Sequence, residues 1–229
     1  DEIQVSPGPG ALAAGLAKAK PGDVVKVAAG DYPESVALAE GVTLEGAGAS
    51  KTILTAPGYA ALNCTGPRVR IVGLTIRGGE KNVRGVNSSA PVRVERCRFE
   101  KIKEGVALKG APLSDILACE FDGCGIAVRA IGGASPTVWG CVFKGGDTGI
   151  FGMNGSLYAR NNLFDGPKIG VRILPDSTQP GVFRNNIFLD CKTAAIEIMP
   201  GERVLFGPSI RNSIVLRCGA ALVSDAELA

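Results

Sequence analysis

The sequence contains no histidine among its 229 residues. Zinc sites built on histidine, Ser-His-Asp triads and Cys-His dyads all need an imidazole, so the composition excludes these classes of centre. No segment approaches the roughly 18 to 20 consecutive apolar residues of a membrane helix, so membrane insertion is not expected. No signal sequence opens the chain, and Asp1 would be a mature N-terminus if the protein is secreted.

The sequence also lacks a large excess of positive or negative charge and has few aromatic side chains. Lys and Arg number 25 against 22 Asp and Glu, which gives a net charge of +3 with no long basic run. General nucleic-acid binding is therefore not expected, and any basic patch must be local. Aromatic residues make up only 5% of the chain, whereas glycine reaches 32 residues. This balance is typical of a fold made of many short strands and tight turns.

A repeat of about 23 residues organises the chain. Its clearest mark is a phenylalanine that recurs at intervals of 22, 22, 21 and 24 residues, at Phe99, Phe121, Phe143, Phe164 and Phe188. Ile76 and Val215 extend the series in the same phase, and Ile53 and Val27 continue it upstream. The units show period-2 strands and lack both helical spacing and the regular leucine pattern of leucine-rich repeats. The sequence therefore predicts a parallel β-solenoid of about nine coils.

Successive coils of a solenoid stack at about 4.8 Å, so each position of the repeat becomes a column. The phenylalanine column is expected to point inward. Two residues earlier lies a second inward column of small or polar side chains: Leu74, Cys97, Cys119, Cys141, Asn162, Asn186 and Ser213. Metal binding by the three cysteines is one interpretation, but Leu and Asn share the column, which favours packing.

Residues 10–20 are the only stretch with clear helix propensity, and Pro21 and Gly22 end it. We expect an amphipathic α-helix here that caps the open N-terminal end of the solenoid, where unpaired strand edges would invite aggregation. The coils are expected from about residue 24 onward, within a single domain of residues 1–229.

Four segments near the start resemble the pectin-lyase-like family of right-handed parallel β-helices, and its pectin methylesterases and β-helix-repeat proteins in particular. They are residues 16–23 (LAKAKPGD), 27–34 (VAAGDYPE), 41–48 (GVTLEGAG) and 51–53 (KTI). The column of Asn162 and Asn186 is similar to the asparagine ladder of that family. The resemblance implies an all-β, right-handed parallel β-helix over essentially the whole chain, and a secreted or cell-envelope location. It is specific for architecture and does not give the reaction.

The motifs of the family's esterases and hydrolases are missing. The sequences Gln-Asp-Thr-Leu and Asp-Phe-Ile-Phe-Gly of pectin methylesterases do not occur, nor do the histidine and Asp-Asp pair of polygalacturonase-like enzymes. Polysaccharide lyases of this fold need an Arg or Lys that removes the proton next to a uronate carboxylate, often with calcium. A polysaccharide lyase site is therefore an alternative that the sequence leaves open.

The resemblance places an active groove along the strand that begins with glycine in each unit, as at Gly105 and Gly125. Its outward column is predicted to read Ala107, Ala127, Phe151, Arg172 and Glu197. Arg172 and Glu197, with Asp176 in the following loop, are the candidate catalytic residues. A surface salt bridge between adjacent coils is the alternative interpretation.

A third column lies four residues before the phenylalanines and is expected to face outward: Glu95, Leu117, Trp139, Arg160, Arg184 and Arg211. Stacked arginines repel one another unless anions lie along them. Guanidinium groups pair with carboxylates, and an indole face stacks on a sugar ring. We predict that Trp139 and the three arginines bind an acidic polysaccharide; pairing of the arginines with loop acids or carbonyls is the alternative.

Two further hypotheses concern ions and redox state. A calcium site is one interpretation of the column Glu100, Asp122, Lys144 and Asp165, but the lysine among the acids favours an alternating ion ladder. Cys191 and Cys218 lie in consecutive coils, within reach of a disulfide.

The outer surface of the last four coils is expected to be apolar, through Val142, Leu163, Ile187, Ile214, Leu189 and Leu216. A contiguous apolar stripe of this size usually marks a covered surface. It predicts a homo-oligomer or an end-to-end stack. Two functions follow from the sequence: an extracellular β-helix that binds an acidic polysaccharide, with lyase-like cleavage of that polymer left open, or a non-catalytic structural solenoid that self-assembles.

Overall fold

The computed structural model describes residues 1–55, 57–79, 83–174, 181–200 and 208–224. Helix α1 spans Ala11–Leu16. The strands up to the middle of the chain are β1 (Glu2–Val5), β2 (Val24–Val27), β3 (Gly30–Tyr32), β4 (Val36–Leu38), β5 (Thr43–Gly46), β6 (Thr52–Thr55), β7 (Ala60–Cys64), β8 (Val69–Val72), β9 (Thr75–Arg77), β10 (Arg84–Ser88), β11 (Val92–Glu95), β12 (Arg98–Glu100), β13 (Glu104–Lys109) and β14 (Pro112–Leu117). They continue as β15 (Glu120–Asp122), β16 (Ile126–Ile131), β17 (Ser135–Trp139), β18 (Val142–Lys144), β19 (Thr148–Met153), β20 (Tyr158–Arg160), β21 (Leu163–Asp165), β22 (Ile169–Leu174), β23 (Val182–Arg184), β24 (Ile187–Leu189), β25 (Ala194–Ile198), β26 (Ser209–Arg211), β27 (Ile214–Leu216) and β28 (Leu222–Ser224).

The strands form three parallel sheets that share the coils between them. Sheet 1 holds β1, β2, β5, β8, β11, β14, β17, β20, β23 and β26. Sheet 2 holds β3 and every third strand after it to β27, and sheet 3 holds β4 and every third strand after it to β28. Neighbours in a sheet come from successive coils, so each coil contributes one strand to each sheet. The all-β class and the solenoid of about nine coils are confirmed.

Two corners of the coil are turned by residues with positive φ. The corner between sheets 1 and 2 has φ values from 49 to 65° at Gly73, Arg96, Ala118, Gly140, Asn161, Asn185 and Asn212. The corner between sheets 2 and 3 uses the same left-handed conformation, for example at Gly123 and Gly166. Glycine and asparagine adopt it at little cost, which explains their frequency at these corners.

The phenylalanine column is the centre of the core. Adjacent rings from Phe99 to Phe188 stack with centroids 4.8, 5.0, 4.5 and 4.7 Å apart, and each of the five side chains is at most 1% exposed. Upstream, the prediction that Ile53 and Val27 continue the column is wrong. Ile76 pairs with Leu54, Leu54 pairs with Tyr32, and Leu54 and Tyr32 are buried.

A small residue in sheet 3 faces each stacked ring. A Cβ on Gly105 would lie 2.9 Å from the ring of Phe121 and 2.5 Å from the carbonyl oxygen of Ala127. Gly85, Gly149 and Gly170 are as close to the rings of their own coils. The glycines therefore mark the positions where the aromatic core touches the sheet 3 backbone.

The polar side chains of the second inward column form hydrogen bonds inside the core. Asn162 Nδ2 donates to Asn186 Oδ1 at 3.0 Å and to the carbonyl of Val138 at 3.0 Å. Asn162 Oδ1 accepts from the backbone N–H of Cys141 at 2.9 Å. Each amide therefore bonds to a neighbouring coil as well as to backbone, which satisfies polar groups that are nearly fully buried.

Helix α1 is shorter than the predicted span of residues 10–20. It begins after Gly10, whose φ is 69°, and its buried side chains Leu12 and Leu16 face the core. The helix contacts β1, β2 and β4, the first strands of the solenoid. In the part of the chain that the structure describes, no helix has the length and apolar character needed to span a membrane.

Candidate functional site

A row of arginines follows Trp139 on the outer face of sheet 1. Trp139 pairs in register with Arg160, Arg160 with Arg184, and Arg184 with Arg211. We call Arg160, Arg184 and Arg211 the arginine column. All three are exposed, and Trp139 is 45% exposed. The structure thus places the four predicted substrate-binding residues together on one accessible surface.

The charges of the arginine column are uncompensated within the described residues. The guanidinium carbon of Arg160 lies 5.2 Å from the centre of the Trp139 ring, a cation–π contact. No described carboxylate lies within 4.0 Å of the guanidinium nitrogens of these three arginines, and no described side chain or carbonyl hydrogen-bonds to them. The predicted alternative of pairing with loop acids finds no support among these residues.

A shallow cavity of about 350 Å³ lies along this surface. Its lining includes Arg160, Arg184, Thr137, Tyr158 and Val182. Tyr158 is 45% exposed and stands one column away from the arginines. The cavity therefore combines cationic groups with an aromatic face and a hydroxyl, which suits a polar ring with negative charge.

Glu95 lies at the N-terminal end of the predicted outward column, and its surroundings differ from those of the arginine column. Its carboxylate is 6% exposed, accepts from Arg70 Nη2 at 2.7 Å and also bonds to Arg93 Nε. Burial by itself would raise the pKa of Glu95, but the hydrogen bonds from Arg70 and Arg93 outweigh it and hold the pKa below its ordinary value. The Glu95 carboxylate is therefore engaged by arginines of the protein itself.

The predicted catalytic pair lies on sheet 3, on another face of the solenoid. Arg172 pairs in register with Glu197 of the next coil, and its Nε bonds directly to the Glu197 carboxylate. Asp176 lies outside the described residues. The predicted catalytic residues and the arginine column therefore stand on different sheets, and the structure does not bring them together.

The outward column of sheet 3 also differs from the prediction. Ala107 pairs with Arg129, and Arg129 pairs with Phe151, so Arg129 holds the position assigned to Ala127. Ala127 is 3% exposed and points towards the core beside the stacked rings. Aligning Gly105 with Gly125 shifted this coil by two residues.

Sheet 3 carries a polar cluster that the sequence did not reveal. Arg84 Nε bonds to Glu104 Oε2 at 2.7 Å, and Arg129 Nε lies 3.5 Å from Glu104 Oε1. Asn87 links Arg84 to Asn63 through hydrogen bonds of 2.8 Å on either side. A cavity of about 410 Å³ lies beside this cluster, lined among others by Glu104, Arg172 and Lys168. The spacing of these charged residues in the sequence, by about one coil, was the signal that could have revealed the cluster.

The acidic column of sheet 2 forms ion pairs. Arg98 Nη2 bonds to Asp122 at 3.1 Å, and Lys144 Nζ bonds to Glu120 at 2.7 Å. In the described ranges, no group of three His, Cys, Asp or Glu side chains is placed to hold a metal ion. A calcium site stays a prediction without a set of ligands in these ranges.

Cys191 and Cys218 are both free thiols in the structure. Burial, followed by the neighbouring Cys218 thiol, raises the pKa of Cys191 to about 12. A thiol with this pKa is protonated and a poor nucleophile at neutral pH. The disulfide stays a hypothesis.

The predicted apolar stripe lies on the outer face of sheet 2, in register. Val142, Leu163, Ile187 and Ile214 pair in turn, and Leu189 pairs with Leu216. Exposure increases towards the last coil: Ile187 is 40%, Leu216 49% and Ile214 52% exposed, whereas Val142 and Leu163 are half-buried.

Comparisons with known proteins agree with this architecture. The family model described as right handed beta helix region matches residues 61–227. No curated protein matches the sequence. Among solved structures, the PL6 family alginate lyase AlyGC superposes with a TM-score of 0.65 at 14% identity over 99% of this chain. A GH87 alpha-1,3-glucanase from Streptomyces thermodiastaticus gives 0.66 at 18% identity over 97%.

An alginate lyase from a Paenibacillus species superposes with a TM-score of 0.59 at 14% identity, over 98% of this chain and 99% of its own. The present chain spans only 39% of AlyGC and 47% of the glucanase. Identities this low establish a shared fold and carry no assignment of substrate or reaction.

Proposed function

The chain belongs to the right-handed β-helix family, and from that premise we propose that it binds an acidic polysaccharide on the outer face of sheet 1. The observation that carries the proposal is the arginine column, in which no described carboxylate neutralises Arg160, Arg184 or Arg211. Trp139 extends the column with an exposed ring already in contact with a guanidinium. Carboxylates of a uronate polymer would supply the missing anions, and the indole would stack on a sugar.

The contacts of these residues support binding of a polysaccharide more strongly than its cleavage. Arg172 would have to take a proton from a uronate, yet Glu197 engages its guanidinium, and both stand on sheet 3. The proposed function is therefore binding by an extracellular protein, and the resemblance to secreted β-helix proteins supports secretion. Lyase action would generate an unsaturated sugar end, which absorbs in the ultraviolet, and the binding assay can record it.

The test is titration of the protein with polygalacturonate and with alginate at low and at high salt. We expect binding that weakens as salt rises, and that Arg184→Gln and Trp139→Ala both reduce. Arg68→Gln is the matched control, because Arg68 is an exposed arginine paired with Glu40 far from sheet 1's arginine column. Binding to neither polymer, or equal losses in Arg184→Gln and Arg68→Gln, would contradict the proposal.

Helix α1 has a structural role in this proposal, as the cap of the N-terminal end. Leu12 is 1% exposed and belongs to the same core cluster as Val5 and Val25. A Cβ on Gly15 would lie 2.4 Å from a methyl group of Val5, so the helix sits directly on β1. The helix would protect the first core residues from water.

Self-assembly is the second candidate function, and one observation favours it. Ile187, Ile214 and Leu216 form an exposed apolar surface on sheet 2, separate from the arginine column on sheet 1. A structural solenoid would use this surface for contact between copies, and carbohydrate binding does not require it.

A further inference from the structure

Cys191 and Cys218 occupy the same position of two successive coils, at the corner between sheets 2 and 3. Strands β24 and β27 pair in register, and each cysteine lies two residues after the end of its strand. The backbone N–H of Asp190 donates to the carbonyl of Leu216 at 3.0 Å, and that of Gly219 donates to the carbonyl of Cys191 at 2.9 Å. The hydrogen bonds between the two coils therefore continue through the corner, on both sides of the cysteine pair.

A repeated turn and an ion pair hold the two cysteines opposite each other. Asp190 and Arg217, the residues before the cysteines, both have positive φ, at 53 and 51°. Arg217 donates two hydrogen bonds to the Asp190 carboxylate, at 2.6 and 2.7 Å. Residues in register on neighbouring strands lie about 4.8 Å apart, and the Cα atoms of a disulfide lie roughly 4.4 to 6.8 Å apart. The spacing of the coils therefore allows a disulfide without a movement of the backbone.

The two thiols lie on the inner side of this corner. Cys191 is fully buried, and Cys218 is half-buried and packs against the core. Cys218 Sγ donates to the carbonyls of Phe188 and Leu216, at 3.7 and 3.5 Å. Burial, and then the charge and the hydrogen bond of the neighbouring Cys218 thiol, raise the pKa of Cys191. The two sulfur atoms are therefore neighbours as well as the two backbones.

Accessibility separates this pair from the other cysteines. Cys97, Cys119 and Cys141 also stack in successive coils, but each is 1% exposed inside the second inward column. An oxidant in solution reacts with a thiol that it can reach. Of the seven cysteines, all of which lie within the described residues, Cys218 is the one that is not buried. Its pair with Cys191 is therefore the place where oxidation can begin.

We propose that Cys191 and Cys218 form a disulfide that joins the last two described coils of the solenoid, with a small disulfide such as oxidised glutathione as the oxidant. The Cys218 thiolate attacks one sulfur of the oxidant, whose S–S bond breaks and releases one glutathione thiolate. Cys191 then loses its proton, and its thiolate attacks the Cys218 sulfur and displaces the second glutathione. The two cysteines lose two electrons in total, and the two thiol protons end on the two molecules of glutathione.

The disulfide holds a coil that has few other contacts. Within the described residues, β26, β27 and β28 each have a neighbouring strand on one side only. Ile210 and Val215 pair with buried phenylalanines of the preceding coil, yet they are 40% and 36% exposed. A covalent link to the preceding coil restricts the local opening of this one. The corner lies away from the arginine column, so this inference is independent of the proposed function.

The test starts from the fully reduced protein, which is equilibrated with excess oxidised glutathione in a mildly alkaline buffer, because the Cys191 thiol is protonated at neutral pH. Mass spectrometry after alkylation under denaturing conditions should show a mass lower by two hydrogens and one linked peptide pair, Cys191 with Cys218. Cys124 is the internal control and should stay a free thiol. It lies at the same corner of an earlier coil, but its neighbours there are Ile102 and Gly146. Amide hydrogen exchange in β26, β27 and β28 should slow by roughly tenfold or more on oxidation.

Three results would overturn the proposal: both thiols still open to alkylation after equilibration, a glutathione adduct on Cys218 that never resolves, or a disulfide between two copies, which non-reducing electrophoresis detects. These measurements on the unsubstituted protein decide the link even where a variant fails to fold. In Cys191→Ser the reaction should stop at the glutathione adduct on Cys218, and in Cys218→Ser no adduct should form. An adduct on Cys191 in Cys218→Ser would contradict the order of the two steps.

Discussion

At the scale of single residues, Glu95 is a nearly buried charged group whose ionised form depends on its partners. It is 4% exposed and its carboxylate is held by Arg70 and Arg93. Its pKa in the folded protein lies below the ordinary value of 4.5. A lowered pKa stabilises the fold at pH values above 4.5, and this stabilisation is lost as the pH falls below 4.5 through the folded pKa.

We therefore predict that Glu95→Gln lowers the free energy of unfolding at pH 7 by roughly 1–3 kcal/mol, the range for hydrogen bonds to a charged group. The difference from the unsubstituted protein should shrink as the pH is lowered below 4.5. Urea unfolding at a series of pH values measures it, with Glu40→Gln as the control at an exposed pair. A difference that stays constant with pH would show that the charge of Glu95 contributes nothing.

Asn186 tests the buried polar column. Its Oδ1 accepts from the backbone N–H of Asn162 at 3.1 Å and from Asn162 Nδ2 at 3.0 Å. Asn186→Leu leaves the backbone N–H of Asn162 and one hydrogen of its Nδ2 without a partner inside the core, so we expect a loss of roughly 2–4 kcal/mol in the free energy of unfolding. Chemical denaturation is the measurement.

Asn186→Cys is the matched variant, because cysteine occupies this column naturally. Cys141 Sγ accepts from the backbone N–H of Cys119 at 3.4 Å, just as Asn186 Oδ1 accepts from the backbone N–H of Asn162. The cysteine variant should therefore lose clearly less stability than the leucine variant. Equal losses would mean that the column is held by packing rather than by hydrogen bonds.

At the scale of elements, helix α1 depends on a side chain from outside itself. Gly10 provides no side-chain cap, and the carboxylate of Glu34 accepts from the backbone N–H of Leu12 at 3.2 Å and of Ala13 at 3.0 Å. Glu34→Ala should destabilise the helix by roughly 0.5–2 kcal/mol. Amide hydrogen exchange should then accelerate in residues 11–17 and stay unchanged in the later coils. Glu40→Ala is the control, and equal exchange in both variants would contradict this role.

The register of the strands was predictable where a large side chain marks the core and not elsewhere. The five phenylalanines gave the correct register of sheet 2, because a large aromatic ring identifies the inward position of each strand. In β6, Ile53 and Leu54 are adjacent, and alternation alone does not say which points inward. Thr52 decides it: its buried hydroxyl accepts from the backbone N–H of Ala47 at 2.9 Å, which places Leu54 inside.

Sheet 3 was misaligned for a related reason. Glycine serves there both beside the aromatic rings, as at Gly105, and in the preceding turn, as at Gly125. In the coil of Arg129 the small residue beside the rings is Ala127, so alignment by glycine alone slipped by two residues. The cluster of Arg84, Glu104 and Arg129 was missed with it, whereas the arginine column, anchored to the phenylalanines, was placed correctly.

At the scale of the whole molecule, the three faces carry different chemistry. Sheet 1 presents the arginine column, which has no carboxylate partner among the described residues, sheet 3 presents arginines that are paired with Glu104 and Glu197, and the end of sheet 2 is apolar. A ligand bound to sheet 1 leaves the apolar surface free. Carbohydrate binding and self-association are therefore compatible in one molecule, and each can be disrupted without the other.

The last prediction concerns this apolar surface. Ile187, Ile214 and Leu216 are 40%, 52% and 49% exposed and lie in register over the last two coils of sheet 2. Contact with a second copy would remove this area from water, at roughly 25 cal/mol per Å² of apolar surface buried. We expect multi-angle light scattering to detect an oligomer whose share grows with concentration, and Ile187→Lys to shift it to monomer. Arg98→Lys, on the same sheet face but at its charged part, is the control. A protein that stays monomeric at high concentration would refute association, and an oligomer that persists in Ile187→Lys would place the contact elsewhere on the solenoid.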